Sequence, residues 1–229
     1  MKKIFHLQVN EGKEVIITNA SCPLTIVNNN GFDYVDLDLP SGTLWATKNI
    51  GASKLSDFGL YFQFGDIKGY TAEQIGKDKG QKAFTWKDYK FSIDGSGYGF
   101  SKYTTKGATL ELEDDAAHIN MGGNWHMPSP EQILELINNT INKRIKLDNV
   151  SGIKFTSKKD ESKSIFIPAS GYASKGVVYD IRAFGHIWSS MLSDYIRCGQ
   201  YLFLPSAENI RLNSYSPRYY GYSVRGVIG

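Results

Sequence analysis

The chain has 229 residues, 41% of them hydrophobic and 21% charged, values of an ordinary globular protein that exclude a disordered or collagen-like polymer. Its formal net charge of +3 is too small to imply a nucleic-acid or membrane partner, because such partners need clustered excess charge. Cys22 and Cys198, the two cysteines, lie far apart and fit no CxxC metal or redox spacing, which excludes a disulfide-stapled scaffold.

In chain order, KIFHLQV and EVIITNA alternate apolar and polar residues around the turn Asn10-Glu11-Gly12-Lys13 and predict a small β-rich segment over residues 1–30, a docking or assembly piece. His6, Gln8 and Asn10 break the first apolar run, so no signal-peptide core is visible. No apolar run approaches the ~18 residues of a membrane span, and no membrane insertion is expected. Asn28-Asn29-Asn30-Gly31 is turn chemistry and marks the start of a second module, residues 31–229. The stretch from Tyr70 to Tyr103 is polar, aromatic and weakly periodic, and predicts a long irregular excursion.

Two helices stand out after it. One runs from Glu113 to Met121, opened by the charges of Glu113, Asp114 and Asp115 and stopped by Gly122-Gly123. The other starts with Ser129 as N-cap, Pro130 at the first helical position and Gln132 closing a capping box, with Ile133, Leu134 and Ile137 as its buried face. The alternating runs GIKFTS, SIFIPASGY, HIWSS and QYLFL then predict an antiparallel sheet. The fold class expected is α+β, with short antiparallel strands, two helices and long irregular loops.

Six strings occur in a telling order: YVDLDLPSGTLWATKNIGA from Tyr34, DFGLYFQFGD from Asp57, LEDDAAHINMGGNWHMPSPEQILELI from Leu112, SIFIPASGY from Ser164, IWSS from Ile187 and GYSVRGV from Gly221. Together they resemble the Fibrobacter succinogenes major paralogous domain, a group found in gut Bacteroidetes and their phages. The resemblance covers Tyr34 to Val227, with two departures: Lys48 stands where a cysteine is usual, and Arg225-Gly226 replaces Arg-Pro or Arg-Cys. It implies a C-type-lectin-like fold related to formylglycine-generating enzymes and to the variable proteins of diversity-generating retroelements, including phage tropism determinants. In such a fold the GYSVR strand should return to the module's start and close it. Trp45, Trp125 and Trp188 should be buried, each indole N–H needing a partner.

The C-terminal stretch is compositionally distinct. It holds Tyr195, Tyr201, Tyr215, Tyr219, Tyr220 and Tyr222 out of 14 tyrosines, together with Arg197, Arg211, Arg218 and Arg225, and no lysine follows Lys175. Tyrosine and arginine enrichment with lysine depletion marks binding hot spots. The bland alternative is that tyrosines decorate half-buried strands, where β-propensity favours them.

The resemblance adds that this stretch is the variable region in retroelement-diversified relatives. Adenine-directed mutagenesis there reaches Tyr, Ser, Asp, Arg, Asn and Phe but never Lys, Glu, Gln, Met or Trp. On that logic Ser193, Asp194, Tyr195, Arg197, Tyr201, Phe203, Asn209, Arg211, Asn213, Tyr215, Tyr219 and Tyr220 are display positions, centred on Tyr195, Tyr201, Tyr215 and Tyr219. Met191, Gln200 and Glu208 would be scaffold.

For catalysis the inventory is thin. His6, His118, His126 and His186 show no HxxxH or HxH spacing, and Ser41, Ser129 and Ser189 have no GxSxG context, so no catalytic residue and no metal site is expected. Glu113, Asp114 and Asp115 could be drawn as a calcium cluster, but three acids at a helix start read better as dipole complement. A formylglycine-type oxidase needs paired copper-binding cysteines, and Cys198 has no neighbour.

The reading is a non-enzymatic ligand-binding or adhesion protein, a phage receptor-binding (tropism) or retroelement-diversified variable protein. It would need no cofactor, would bind a host or bacterial surface protein or glycan, and would work on a virion, or in the cytoplasm otherwise. A homotrimer is the assembly the resemblance suggests. The alternative is a structural virion decoration or fibre subunit.

Overall fold

The computed structural model describes Gln8–Val9, Lys13–Glu14, Ile26–Val27 and residues 30–229. Of the predicted N-terminal β segment, therefore, only three short strands fall among the described residues: β1 (Gln8–Val9), β2 (Lys13–Glu14) and β3 (Ile26–Val27). β1 and β2 pair antiparallel, whereas β3 pairs with β4 (Asp33–Asp36) of the second module. Cys22 lies outside the described residues.

β4 pairs with β5 (Leu44–Ala46), and the last strand, β14 (Val227–Ile228), pairs with the other edge of β5 through Val227 and Trp45. The chain's end thus returns to the module's start, as expected. Val224 O accepts from Ile50 N at 2.9 Å and Gly226 O from Ala46 N at 3.0 Å, extending the seam upstream of β14.

The second expected helix, α2 (Pro130–Asn139), has the predicted cap. Ser129 Oγ accepts from Gln132 N at 3.2 Å while Gln132 Oε1 accepts from Ser129 N at 2.9 Å. Its buried face is Ile133 and Leu136, with Ile137 half-buried, and not Leu134, which is 44% exposed. At about 100° per residue, Leu134 turns away from the stripe that Ile133 and Leu136 share.

The first expected helix is split. Leu112–Asp114 is a single 3-10 turn and α1 is only Ala116–Met121, because Asp115 is extended and acts as the N-cap. Its carboxylate accepts from Ala117 N and His118 N at 2.8 and 2.9 Å, and from Met127 N at 2.8 Å. α1 stops at Gly122, whose φ of 71° suits glycine.

The later strands form two antiparallel sheets and a hairpin, not the single sheet that the alternation suggests. β6 (Thr140–Leu147), β7 (Val150–Ser157) and β8 (Ser164–Pro168) form one, in that order. β9 (Tyr172–Ser174) and β10 (Val177–Tyr179) make the hairpin. β11 (Gly185–Leu192), β12 (Cys198–Leu204) and β13 (Arg211–Pro217) form the other three-stranded sheet. With two helices and antiparallel sheets the class is α+β.

The β11–β12–β13 sheet divides two cores. Register sets Ile187, Leu202 and Leu212 side by side on one face and Trp188, Tyr201 and Asn213 on the other. The first face joins an aliphatic core with Ile133 and Leu136 of α2 and Val35, Ile153 and Ile167. The second joins an aromatic core of Phe62, Phe64, Tyr89, Phe91, Trp188 and Tyr222.

The Tyr70–Tyr103 excursion supplies much of that aromatic core, contrary to its expected loop character. It carries 3-10 turns at Ala72–Gln74 and Trp86–Asp88, and Ile93 N and Ser101 N donate to Gly99 O and Phe91 O at 3.0 Å. The Asp88 carboxylate accepts from the backbone N–H groups of Ala83, Phe84 and Thr85.

Trp45, Trp125 and Trp188 are all fully buried, as expected. Trp188 Nε1 donates to Phe62 O at 2.8 Å, but the indole N–H groups of Trp45 and Trp125 have no partner among the described residues.

Candidate ligand-binding face

The expected display residues divide into an exposed rim and a buried bed. A tight turn joins β11 to β12, with Cys198 N donating to Tyr195 O at 2.8 Å. Ser193, expected on display, is buried and shapes this turn: its Oγ donates to Tyr195 O at 3.0 Å and accepts from Tyr195 N at 2.9 Å. Tyr201 and Tyr219 are buried too, at 7% and 9% exposure. Tyr201 sits opposite Trp188 in the sheet, and Tyr219 packs edge-on to Trp86 at 4.8 Å, so both belong to the aromatic core. Three of the twelve display positions are thereby corrected.

The rim is formed by Tyr195 and Tyr215, 59% and 66% exposed, whose ring centroids are 5.3 Å apart. Asp194 is exposed next to Tyr195. Arg197, on the same turn, is half-buried; its guanidinium carbon lies 4.2 Å from the centroid of Tyr98 and 5.5 Å from that of Trp86. Further along the sheet Phe203 is half-buried and Arg211 exposed, with the Arg211 guanidinium 4.8 Å from the Phe203 ring. Arg211 Nη1 donates to Asn209 O at 3.2 Å, and Asn209 is itself exposed. Asn213 is half-buried, its Oδ1 accepting from Tyr215 N at 3.3 Å.

Tyr220 is half-buried and stacked on Tyr172 at 5.2 Å and 19°, and Tyr172 stacks in turn on Tyr179 at 5.3 Å and 26°. Of the expected scaffold residues, Gln200 uses its side chain to hold Leu192 O at 3.0 Å.

Beneath the rim the rings are fixed by a buried polar pair and a buried cation. His186 stacks on Tyr222 at 4.7 Å and packs on Phe203 at 5.0 Å, with Nδ1 3.1 Å from Gly171 O. Burial pushes the imidazole down to about 4 against the opposing Gly171 contact, so the ring is neutral. Arg218, fully buried, donates to the Tyr89 hydroxyl at 2.8 Å, to Ile196 O at 3.0 Å, to Lys102 O at 3.1 Å and to Tyr103 O at 3.2 Å. One guanidinium therefore ties the excursion to the turn that carries Arg197.

Four contributors went unmarked by sequence reasoning: Trp86, Tyr98, Tyr172 and Tyr179. Tyr98 is 75% exposed and Tyr179 40%, so both belong to the accessible surface. A glycine-flanked aromatic, as in Gly97-Tyr98-Gly99, was the available signal for Tyr98, since a turn tip points its side chain outward.

The acidic cluster is occupied by protein. Lys102 Nζ lies 2.6 Å from carboxylate oxygens of Glu111, Glu113 and Asp114, and Lys90 also pairs with Asp114. Burial alone would push Asp114 up, but hydrogen bonds from Lys102, Lys90 and Tyr103 outweigh it and hold the carboxyl below its usual value. The three acids of the predicted helix start thus have separate tasks: Glu113 and Asp114 neutralise lysines and Asp115 caps α1.

A cavity of about 510 Å³, lined by Tyr34, Leu44, Asn124, Trp125 and Ile228 among others, contains none of the expected site residues. No family model, characterised protein or solved structure matches this chain. No helix among the described residues is long and apolar enough to cross a membrane.

Proposed function

We propose that this chain is a non-enzymatic ligand-binding or adhesion protein of C-type-lectin-like fold, a phage receptor-binding or retroelement-diversified variable protein displaying the rim of Tyr195, Arg197 and Tyr215. The observation that carries the reading is the exposure of large rings on a rigid support. Tyr195, Tyr215 and Tyr98 project outward; Tyr215 stands on β13, and Arg218 holds the main chain at Ile196, next to Tyr195, and at Lys102 on the segment that carries Tyr98. Preordered aromatic side chains lose little entropy on binding, which is why they dominate hot spots. The lectin-like part of the reading draws support from the seam between β14 and β5, where the two ends of the module meet.

An oxidase reading is served poorly by Cys198. Its sequence surroundings offer no second cysteine to complete a copper-binding pair.

Binding of the purified chain to intact gut Bacteroidetes cells tests the proposal. The double variant Tyr195→Ala/Tyr215→Ala should bind at least ~30-fold more weakly at unchanged thermal stability, the loss of about 2 kcal/mol that a single hot-spot ring carries. Equal binding by the double variant rejects the assignment of this rim.

A further inference from the structure

We infer that the partner of this rim is an acidic protein surface, whose carboxylates are read by Arg197; the inference rests on the binding role proposed above. All eight ion pairs among the described residues are made by lysines: Lys54, Lys82, Lys90, Lys102 and Lys163. None is made by an arginine, although arginine is the better carboxylate partner because its planar fork matches two oxygens at once.

Three of the other five arginines are committed elsewhere. Arg218 and Arg225 are buried on neutral acceptors, and Arg144 donates to the carbonyls of Pro205 and Ala183. Arg197 differs from all of these. It lies over the rings of Tyr98 and Trp86 and pairs with no carboxylate among the described residues, not even that of neighbouring Asp194. A ring contact engages the face of a guanidinium and leaves its in-plane N–H donors at the edge. The side chain is therefore positioned and only partly dehydrated, with its strongest recognition chemistry unspent.

The surroundings favour a protein over a sugar. Arg197 lies over Tyr98; Ile93, 70% exposed, pairs through its N–H with Gly99 beside that ring, and Tyr195, two residues before Arg197, packs against Tyr215. Side chains exposed to this degree stand proud of the surface, whereas small molecules and sugar units are held in concave sites. An aromatic and aliphatic rim around one arginine matches the make-up of protein–protein hot spots. Arg211, over Phe203 at the far end of β12, offers a second positive point about six residues, or roughly 20 Å, along the strand, a span suited to an extended partner.

Immobilised full-length chain is titrated with a random glutamate–tyrosine copolymer, a lysine–tyrosine copolymer and hyaluronan, each at low salt and at high salt. Expected is binding of the glutamate–tyrosine copolymer alone, weakened by salt. Arg197→Gln should weaken it about tenfold or more, and Arg197→Lys should fail to restore it, while both variants melt as the parent does. Binding of the glutamate copolymer that ignores Arg197, equal binding of the lysine copolymer, or Arg197-dependent binding of hyaluronan each overturns the acidic-protein assignment. If the copolymer does not bind while cells still bind through Tyr195 and Tyr215, the acidic assignment falls and the adhesion reading stands; if neither binds, both fall.

Discussion

The two faces of the β11–β12–β13 sheet are built on different principles. On the aliphatic side, Ile187, Leu202 and Leu204 meet Ile133 and Leu136, and branched side chains dominate the packing around only two rings, Trp45 and Phe155. On the aromatic side, rings pack in tilted and edge-on pairs that need polar partners at their rims: Trp188 on Phe62 O, Tyr89 on Phe64 O, and Tyr103 on the Asp114 carboxylate. The aliphatic core supplies stability from volume alone. The aromatic core supplies stability and also a patterned outer surface, because a tyrosine or arginine can be packed at one end and wet at the other.

That contrast can be broken most forcefully at Trp188, the fully buried ring at the centre of the aromatic side. Trp188→Ala should cost about 4 kcal/mol or unfold the chain outright, since a large cavity opens and Phe62 O loses one of its two donors; urea denaturation measures it.

A smaller effect separates the two sides by pH. His186 titrates at about 4 instead of 6.5, so the unfolded chain binds the proton first and stability, complete above 6.5, falls as the pH drops toward 4. The loss should reach about 3 kcal/mol across that window, and His186→Phe should abolish the slope. Asp38 and Asp114, both held below their ordinary value of 3.8, lose their contributions at lower pH, whereas burial raises Asp115 and acts in the opposite sense within the window, so the difference between parent and His186→Phe isolates the histidine. Denaturant midpoints at several pH values would show it; an unchanged slope in the variant would remove His186 as its source.

The smallest effect sharpens the comparison from the aliphatic side. Ser129→Ala removes the cap of α2 and should cost about 1 kcal/mol at any pH between 4.5 and 8, without altering binding by the rim.

What could be read from the sequence follows the same division. α2 and its capping box were legible because a serine three residues before a glutamine carries a local signal, whereas the closure by the final strand was expected only from the family resemblance. The burial of Leu136 in place of Leu134 was a one-position error of helical phase. The aromatic side was harder, since Tyr89, Phe91, Phe100 and Tyr103 come from a segment with no period, and only tertiary packing assigns them to a core.

The rim was half legible for a related reason. Composition marks a tyrosine as interfacial without saying which end of it is wet. Tyr195 and Tyr215 lie outside and Tyr201 and Tyr219 inside because the sheet register and the Trp86 contact decide it. Tyr98 came from far away in sequence and could be recruited only once Arg197 was placed.

Arg218 has a consequence for how this surface can vary. Its fork grips main-chain oxygens of Lys102, Tyr103 and Ile196, groups that every amino acid supplies. The strut therefore survives whatever residues decorate the adjoining turn, so side chains at Asp194, Tyr195 and Arg197 are free to be exchanged for new specificities while the frame beneath them keeps its shape.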